Sequence, residues 1–344
     1  MIWLTWRQFR TQATVVFAAL ILLAVILAVT GPGLAHDYSA GLASCTARGG
    51  CDAFAEHFLN SHFALYIGLG VVVAVLPVIV GLFWGAPLVT REFEAGTHRL
   101  AWNQSVTRTR WLGVKLGLIG LAAVAAAGVT SVAVTWWSVP LDKAASAGMP
   151  RLSPALFVAR GVAPLGYALL AFALGVTVGL LVRRTLPAIA VTLVVFAAVQ
   201  VAVPTLVRPH LMPPVVTTVE ITPANLDGLM IGGDDQMSVT VRAPGAGAWT
   251  LENETVDAAG AVVAHLPAAV AAACAPTGLP SAEDRGIPRQ CFEGIRQAGY
   301  RQRVTYQPDS RYWAFQWSET ALFAALALGL AGFCFWWVRR RRPS

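Results

Sequence analysis

Long stretches without an ionisable side chain dominate this sequence. Six of them lack Asp, Glu, Lys and Arg and contain between 19 and 28 residues each: 11–36, 63–90, 116–141, 161–182, 185–207 and 320–338. A helix needs roughly 20 residues to cross about 30 Å of hydrocarbon, and a charge at the bilayer centre costs on the order of 2.5 to 3.5 kcal/mol. Open strands would leave backbone groups unpaired in lipid. The pattern therefore predicts six transmembrane helices.

Composition supports an all-α polytopic membrane protein. Of 344 residues, 56% are hydrophobic and 12% are charged, whereas a soluble domain carries about a quarter charged residues. This balance excludes a soluble domain, a disordered chain and a coiled coil. It also excludes a soluble nucleic-acid binder, despite the formal net charge of +7. The lipid bilayer is thus the first expected partner, and no nucleic acid is expected.

The distribution of Lys and Arg predicts the orientation of the helices. With the N-terminus in the cytoplasm, the inner segments hold 13 of the 25 basic residues and two of the 18 acidic ones. These segments are 1–10, 91–115, 183–184 and 339–344. Cytoplasmic loops of membrane proteins carry such an excess of basic residues, so both termini are predicted to be cytoplasmic.

The first ten residues combine aromatic and basic side chains. Trp3, Trp6 and Phe9 recur at a spacing of three, with Arg7 and Arg10 among them. On a helix the three aromatic residues form one stripe, which predicts a cytoplasmic interfacial helix over 1–10. An anchor for the first transmembrane helix is the other interpretation.

Beyond residues 1–10, the sequence predicts two membrane regions and one folded extracytoplasmic domain. Transmembrane helices one to five occupy 11–207, with a cytoplasmic loop at 91–111, and 320–344 is the sixth helix with a basic tail. Between them, 208–319 contains 112 residues of which 20 are charged, which predicts a mixed, partly β extracytoplasmic domain. Alternating residues at 215–221 and 237–242 predict strands.

Four of the five cysteines lie outside the membrane on this topology. They are Cys45, Cys51, Cys274 and Cys291, whereas Cys334 falls within the last predicted helix. Disulfides persist on the oxidising side of a membrane, so pairing is expected. Cys45 with Cys51 closes a short loop and Cys274 with Cys291 staples the outer domain, although four cysteines allow three connectivities and free thiols are the alternative.

The loop 91–111 is the most informative cytoplasmic segment. It contains the only inner acidic residues, Glu92 and Glu94, followed by a Gly-Thr break and by Ser105 and Thr107 as candidate N-caps. The pattern predicts a helix, a bend and a second short helix parallel to the membrane. Such an element can transmit force by packing against a partner protein.

This loop resembles that of the permease subunit of a type-2 ABC exporter. The matching positions are Arg91, Glu92, Glu94, Gly96, Thr97, Ser105, Arg108 and Lys115. The segments 306–313 and 316–320 look like the actinobacterial branch of that family. The resemblance implies a bacterial plasma membrane protein in which two permease subunits, expected to be a homodimer, work with an ABC ATPase dimer. It also implies that ATPase coupling uses Arg91, Glu92, Glu94, Gly96, Thr97, Arg99 and Arg108.

Energy for transport must come from another chain. The dipeptide Gly-Lys never occurs, so the sequence lacks the phosphate-binding loop Gly-x-x-x-x-Gly-Lys-Ser/Thr. We therefore expect no enzyme activity and no cofactor in this chain, with ATP and Mg bound by the partner ATPase. Ion-coupled carriers generally need ionisable residues within the membrane, and the charge-free runs favour export of a hydrophobic or amphiphilic compound instead.

Several polar and aromatic residues have two interpretations. Phe83, Trp84 and Gln200 are candidates for lining a substrate pathway. In the alternative interpretation, Phe83 and Trp84 belong to an interfacial aromatic belt and Gln200 hydrogen-bonds to a neighbouring helix. Glu319 borders the last predicted helix as an anchor or as a gate contact to Arg311. No metal site is predicted, because Glu56, His57 and His62 lack the spacing of His-Glu-x-x-His.

A second function class is compatible with the sequence. A membrane sensor or immunity protein would bind a peptide or antibiotic through the outer domain without transporting it. Cargo-stimulated ATP hydrolysis separates the two classes.

Overall fold

A computed structural model describes residues 2–47, 50–96, 107–145, 149–231, 237–274 and 288–340. The chain forms two compact units, one of Met1–Leu211 with Trp313–Ser344 and one of Met212–Tyr312. The first is helical, and the second contains the strands. Thr97, Arg99 and Ser105 lie outside the described residues, as does the predicted second short helix of the cytoplasmic loop.

The helical unit has long helices joined by short connections. In chain order the helices before the strands are α1 (Ile2–Thr46), α2 (Asp52–Ile79), α3 (Pro87–Glu94), α4 (Arg108–Ala145), α5 (Pro154–Phe157), α6 (Ala163–Val182) and α7 (Thr185–Ala202). A π-helical turn, Val80–Gly85, connects α2 to α3, and a second one, Val203–Val207, follows α7. Six helical stretches of the described chain are long and apolar enough to cross a membrane, which confirms the predicted number.

The N-terminal segment is part of the first long helix. No glycine or proline occurs from Ile2 to Thr30, so nothing there breaks the helix, and α1 continues past Pro32 to a length of 45 residues. Trp3 is 67% exposed whereas Phe9 is 4% exposed, because Phe9 packs against Trp84 with ring centroids 4.8 Å apart. The segment predicted as an interfacial helix over 1–10 is continuous with α1 from Ile2 onwards, and its place at the cytoplasmic interface stays a prediction.

The helices α1 and α2 form a hairpin closed by a disulfide. At about 1.5 Å per residue, the 45 residues of α1 reach roughly twice the thickness of a hydrocarbon core of about 30 Å. Cys45 bonds Cys51 at the connection. Tyr38 of α1 packs on Phe58 of α2 with ring centroids 5.4 Å apart, so aromatic contacts hold the hairpin together near its tip.

Glycines bring the backbones of two neighbouring helices close together. A Cβ at Gly85 would lie 2.7 Å from the carbonyl oxygen of Phe172, and one at Gly175 would collide with the carbonyl oxygen of Gly81. Small residues at a spacing of four permit such approach between transmembrane helices. The π-helical turn after α2 is therefore fixed against α6.

The second unit contains a four-stranded and a two-stranded antiparallel sheet. Its strands are β1 (Val215–Val219), β2 (Leu226–Ile231), β3 (Met237–Val241), β4 (Trp249–Val256), β5 (Val262–Val263) and β6 (Arg301–Gln307). The four-stranded sheet has the order β1-β6-β4-β5, and β2 pairs with β3. The strands predicted over 215–221 and 237–242 correspond to β1 and β3.

Two short helices complete this unit, and one long helix follows it. They are α8 (Ala268–Cys274) and α9 (Arg289–Gln297), followed after β6 by α10 (Tyr312–Arg340). A disulfide between Cys274 and Cys291 joins α8 to α9. Val239, Leu266, Ile295 and Val304 are among the buried residues that form a core here.

Candidate functional site

The helix α3 is joined to α4 by a buried ion pair. The Lys115 ammonium lies 2.6 Å from Oε1 of Glu92 and donates a hydrogen bond of 3.1 Å to the carbonyl oxygen of Leu88. Trp111 Nε1 donates to Oε2 of the same carboxylate at 3.2 Å. Lys115 is 3% exposed and Glu92 is 13% exposed. Since removing one partner of a buried pair leaves an uncompensated charge, this contact holds α3 firmly against α4.

The last residue of α3 caps a different helix. Glu94 Oε1 accepts a hydrogen bond of 2.8 Å from the backbone N–H of Thr185, and Oε2 accepts one of 2.7 Å from its hydroxyl. The Thr90 hydroxyl lies 2.8 Å from the Thr185 hydroxyl. Thr185 is the first residue of α7, and the N-terminus of a helix carries unpaired N–H groups and a partial positive charge. A carboxylate from α3 thus serves as the N-cap that α7 does not supply itself.

Both acidic residues of the predicted coupling loop are therefore bonded within their own chain. Glu92 binds α4 and Glu94 binds α7. The helix α3 has only eight residues, and its two carboxylates, two positions apart, bind two different long helices. A displacement of α3 must accordingly be shared by α4 and α7.

The other predicted coupling residues lie around the ends of this element. Arg91 is exposed on α3, and Gly96 follows the helix with φ of 67°, a left-handed conformation suited to glycine. Arg108 begins α4. The Thr107 hydroxyl accepts a hydrogen bond of 3.3 Å from the N–H of Arg110, so the predicted N-cap at Thr107 is confirmed.

A cavity of about 240 Å³ brings two sets of predicted residues together. Phe83 and Trp84, considered for a substrate pathway, line it together with Arg91 and Glu92, considered for coupling. The remaining lining residues are Thr5, Phe9, Gln12, Pro87, Leu88 and Ile119. Gln200 is half-buried on α7, and the described lining comes instead from α1, the α2–α3 region and α4.

A buried ion pair joins α10 to the end of the fifth long helical stretch. Arg208 Nε lies 2.7 Å from Oε2 of Glu319, and both side chains have 0% exposure. Arg208 also donates to Oε1 at 3.0 Å, and the Tyr167 hydroxyl of α6 donates to the same oxygen at 2.5 Å. The guanidinium lies 4.0 Å from the centre of the Phe157 ring. This cluster links α6 and α10 to the turn after α7.

The sequence did not predict this pair. Glu319 was expected to anchor α10 or to contact Arg311, but it binds Arg208, 111 residues earlier in the chain. Arg311 donates instead to the carbonyl oxygen of Pro213. The available signal was that Arg208 immediately follows one charge-free run and Glu319 immediately precedes another, which places opposite charges at the same predicted side of the membrane.

A second cluster repeats the combination of tyrosine, carboxylate and arginine. The Tyr66 hydroxyl donates to Asp142 at 2.7 Å, and Arg160 Nε lies 3.5 Å from the same carboxylate. Gln316 Oε1 accepts hydrogen bonds of 2.9 and 2.8 Å from the N–H groups of Val162 and Ala163. The N-terminus of α6 is thus capped by a side chain of α10.

The remaining predicted residues have local roles in the structure. The disulfides are Cys45–Cys51 and Cys274–Cys291, and Cys334 is a buried thiol. His62 Nδ1 lies 3.0 Å from the carbonyl oxygen of Phe58, one turn earlier on its own helix. Within the described residues, no group of three or more His, Cys, Asp or Glu side chains is arranged to hold a metal ion.

Comparison with known proteins identifies the family. The family described as ABC-2 membrane transporter related matches residues 17–208, which is more than half of the 344 residues. No curated protein and no solved structure matches the chain. The matched region begins within α1, extends through α7, and includes the element α3 with its contacts to α4 and α7. The chain therefore belongs to the ABC-2 membrane transporter related family, as a multi-pass permease of the ABC-2 type.

Proposed function

We propose that this permease exports a hydrophobic or amphiphilic compound and is driven by a separate ABC ATPase that docks on the cytoplasmic loop 91–111. Both chain termini are cytoplasmic in this proposal, and the membrane is the bacterial plasma membrane. The excess of Lys and Arg in the inner segments supports this orientation. The absence of a Gly-Lys dipeptide supports ATP and Mg binding by the partner chain.

One observation carries the proposal most strongly. The helix α3, at the start of the docking loop, is bonded through Glu92 to α4 and through Glu94 to α7. A force that an ATPase applies to this loop therefore reaches two long apolar helices directly. Glu92 and Glu94 transmit the motion in this view, while the residues after Glu94 contact the ATPase.

The assembly contains two permeases and two ATPase subunits. We propose a homodimer of this chain, since a half-transporter of six membrane helices pairs with a second copy in the family that it resembles. The strand-containing unit is the extracytoplasmic domain between the fifth and sixth transmembrane helices. Its disulfide Cys274–Cys291 and the disulfide Cys45–Cys51 support an oxidising location for both segments.

Co-purification and coupled ATP hydrolysis test this proposal together. Deleting 94–99 should abolish binding of the ATPase, whereas Glu94→Ala should keep the ATPase bound and reduce cargo-stimulated hydrolysis about fivefold or more, as expected for loss of coupling between sites. Asp227→Ala is the matched control, because it removes an exposed carboxylate in the strand-containing unit. Normal co-purification of the deletion variant would contradict docking on this loop.

The strand-containing unit supports a second candidate, a membrane sensor or immunity protein. A cavity of about 400 Å³ in this unit is lined by aromatic, basic and acidic residues, including Phe292, Tyr300, Arg289, Arg296 and Glu293. Such a lining can bind a peptide or an antibiotic. A ligand that binds this unit without changing ATP hydrolysis, in a protein that transports nothing, would favour the sensor over the exporter.

A further inference from the structure

The cavity of about 240 Å³ beside α3 combines an aromatic wall with a charged rim. Phe9 and Trp84 meet edge to face with ring centroids 4.8 Å apart, and Ile119 and Leu88 extend this apolar wall. The polar groups, including Arg91 and Glu92, come from the turn of α3 that follows. The apolar part of a ligand can thus contact the aromatic wall while its polar head contacts the charged rim beside it.

The backbone conformation supports a binding role for this wall. Phe83 and Trp84 belong to the π-helical turn Val80–Gly85, and such turns within transmembrane helices are frequent at functional sites. Gly81 and Gly85 hold this turn against α6. Trp84 is 3% exposed whereas Phe83 is 54% exposed, so one ring is fixed in the protein and the other faces its surroundings. The turn therefore contributes one buried and one exposed aromatic ring to the cavity wall.

The charges at the rim favour an anionic ligand. Lys115 lies 2.6 Å from Glu92 and offsets its charge. Glu94 is directed to Thr185 at the start of α7. Arg91 is exposed and lines the cavity, and its guanidinium can bind a carboxylate or phosphate through two parallel hydrogen bonds. Of the two charged side chains that line the cavity, Glu92 is thus paired with Lys115, and Arg91 is the one that can meet an anionic head.

The size of the cavity limits the ligand further. A volume of about 240 Å³ is smaller than the roughly 300–1,000 Å³ of pockets that enclose drug-sized ligands. It accommodates one chain or one ring rather than both chains of a phospholipid.

We infer that this cavity binds an amphiphile with a single apolar chain and an anionic head, with Arg91 on the head and Phe83, Trp84 and Ile119 along the chain. The inference names the class of cargo. It therefore rests on the proposed function, because the bound amphiphile is a cargo only if the protein exports it. A ligand here contacts Leu88, Arg91 and Glu92, which belong to the element that joins α4 and α7. Occupancy is therefore coupled to the same contacts that we assign to force transmission.

Direct binding of radiolabelled dodecyl phosphate to the full-length protein in phosphatidylcholine nanodiscs tests the site. We expect saturable binding that unlabelled dodecyl phosphate displaces and dodecanol does not. Arg91→Gln should weaken binding about tenfold, as expected when a charged hydrogen bond is lost. Arg110→Gln is its control, because Arg110 is an exposed arginine on the neighbouring α4 that does not line the described cavity.

A second pair of variants tests the apolar wall without changing charge. Phe83→Ala should weaken binding, whereas Leu121→Ala should not, because Leu121 is 70% exposed and lies on α4 away from the described lining. The inference is overturned if binding does not saturate, if dodecanol competes equally, or if Arg91→Gln and Arg110→Gln behave alike. Displacement by phosphatidylglycerol alone would identify a lipid site and would also overturn it.

This assay separates the inference from the proposed function because it contains no ATPase. Binding of dodecyl phosphate by a protein that never associates with an ATPase would support the ligand class and contradict the exporter. An ATPase-bound protein that fails to bind dodecyl phosphate would contradict the ligand class alone.

Discussion

Glu94 and Thr185, at opposite ends of two different helices, are joined by two hydrogen bonds of 2.8 and 2.7 Å. The carboxylate pairs with both the backbone N–H and the hydroxyl of the first residue of α7. It thereby links α3 to α7, the long helix that follows the pair Arg183 and Arg184.

A double-mutant cycle should detect this link. Glu94→Ala and Thr185→Val should each lower the melting temperature of the detergent-solubilised protein, because each removes part of the cap of α7. The double variant should lose less stability than the sum of the two single variants, since both changes break the same contact, while Thr185→Val also removes the hydroxyl that lies 2.8 Å from the Thr90 hydroxyl. Thr205→Val is the control, because that exposed hydroxyl donates to the carbonyl oxygens of Val201 and Ala202, four and three residues earlier on the same helical stretch. Fully additive effects would contradict a direct link.

The pair Arg208 and Glu319 should be costly to break on one side only. Glu319→Leu leaves the fully buried Arg208 without its carboxylate, and we expect a loss of about 3 to 5 kcal/mol of unfolding free energy. Arg208→Met combined with Glu319→Leu should recover much of this loss, because neither charge then remains buried. Denaturant titration in detergent measures both variants.

An exposed pair provides the comparison for that experiment. Asp227 and Arg242 lie 3.4 Å apart with side chains 56% and 52% exposed, so Asp227→Asn should have no measurable effect on stability. Equal effects of Glu319→Leu and Asp227→Asn would contradict the assignment of Arg208–Glu319 as a buried lock between helices.

Gly175→Ala should destabilise the helical unit. A methyl group there collides with the backbone of Gly81, which cannot move as a flexible side chain can. Overpacking of this kind costs typically about 1 to 3 kcal/mol or more. Gly117→Ala places a methyl group where no atom lies within 4 Å, and its melting temperature should stay at the wild-type value or rise slightly. The same fall in both variants would argue against close packing of α2 and α6.

The disulfides should protect four cysteines from alkylation. In the denatured, unreduced protein, a maleimide should modify Cys334 alone, and all five cysteines should react after reduction. Replacing Cys274 and Cys291 together by serine should cost about 3 kcal/mol, as expected for a loop of this length. Mass spectrometry of the labelled protein reads out the first prediction and denaturant titration the second. Five modified cysteines without reductant would refute both pairings.

The sequence predicted the membrane helices well because their signal is local. The cost of a charge in lipid applies to each residue separately, and six charge-free runs therefore indicate six helices. The extent of α1 was less predictable, because an aromatic spacing of three suits both a separate interfacial helix and the start of a longer one. In the structure the helix is continuous from Ile2 to Thr46 and passes through Pro32, so neither the aromatic spacing nor the position of proline indicates its ends.

The partners of the functional residues could not be predicted in the same way. Glu92 and Glu94 were identified by their isolation among basic residues, but their bonds to Lys115 and Thr185 depend on which helices pack together. Arg208 and Glu319 were counted as flanking charges because nothing in a linear pattern joins positions 111 residues apart. Pairing of distant charges is a property of tertiary structure.

The first and last strands of the second unit, β1 and β6, are hydrogen-bonded neighbours. Gln307 also donates to the carbonyl oxygen of Met212, and Arg311 donates to that of Pro213, so the chain enters and leaves this fold at one place. A domain whose ends lie close together can be inserted into another chain, exchanged or removed as one unit. An insertion of this kind changes the host chain at one point only, because the strands that begin and end the inserted unit pair with each other.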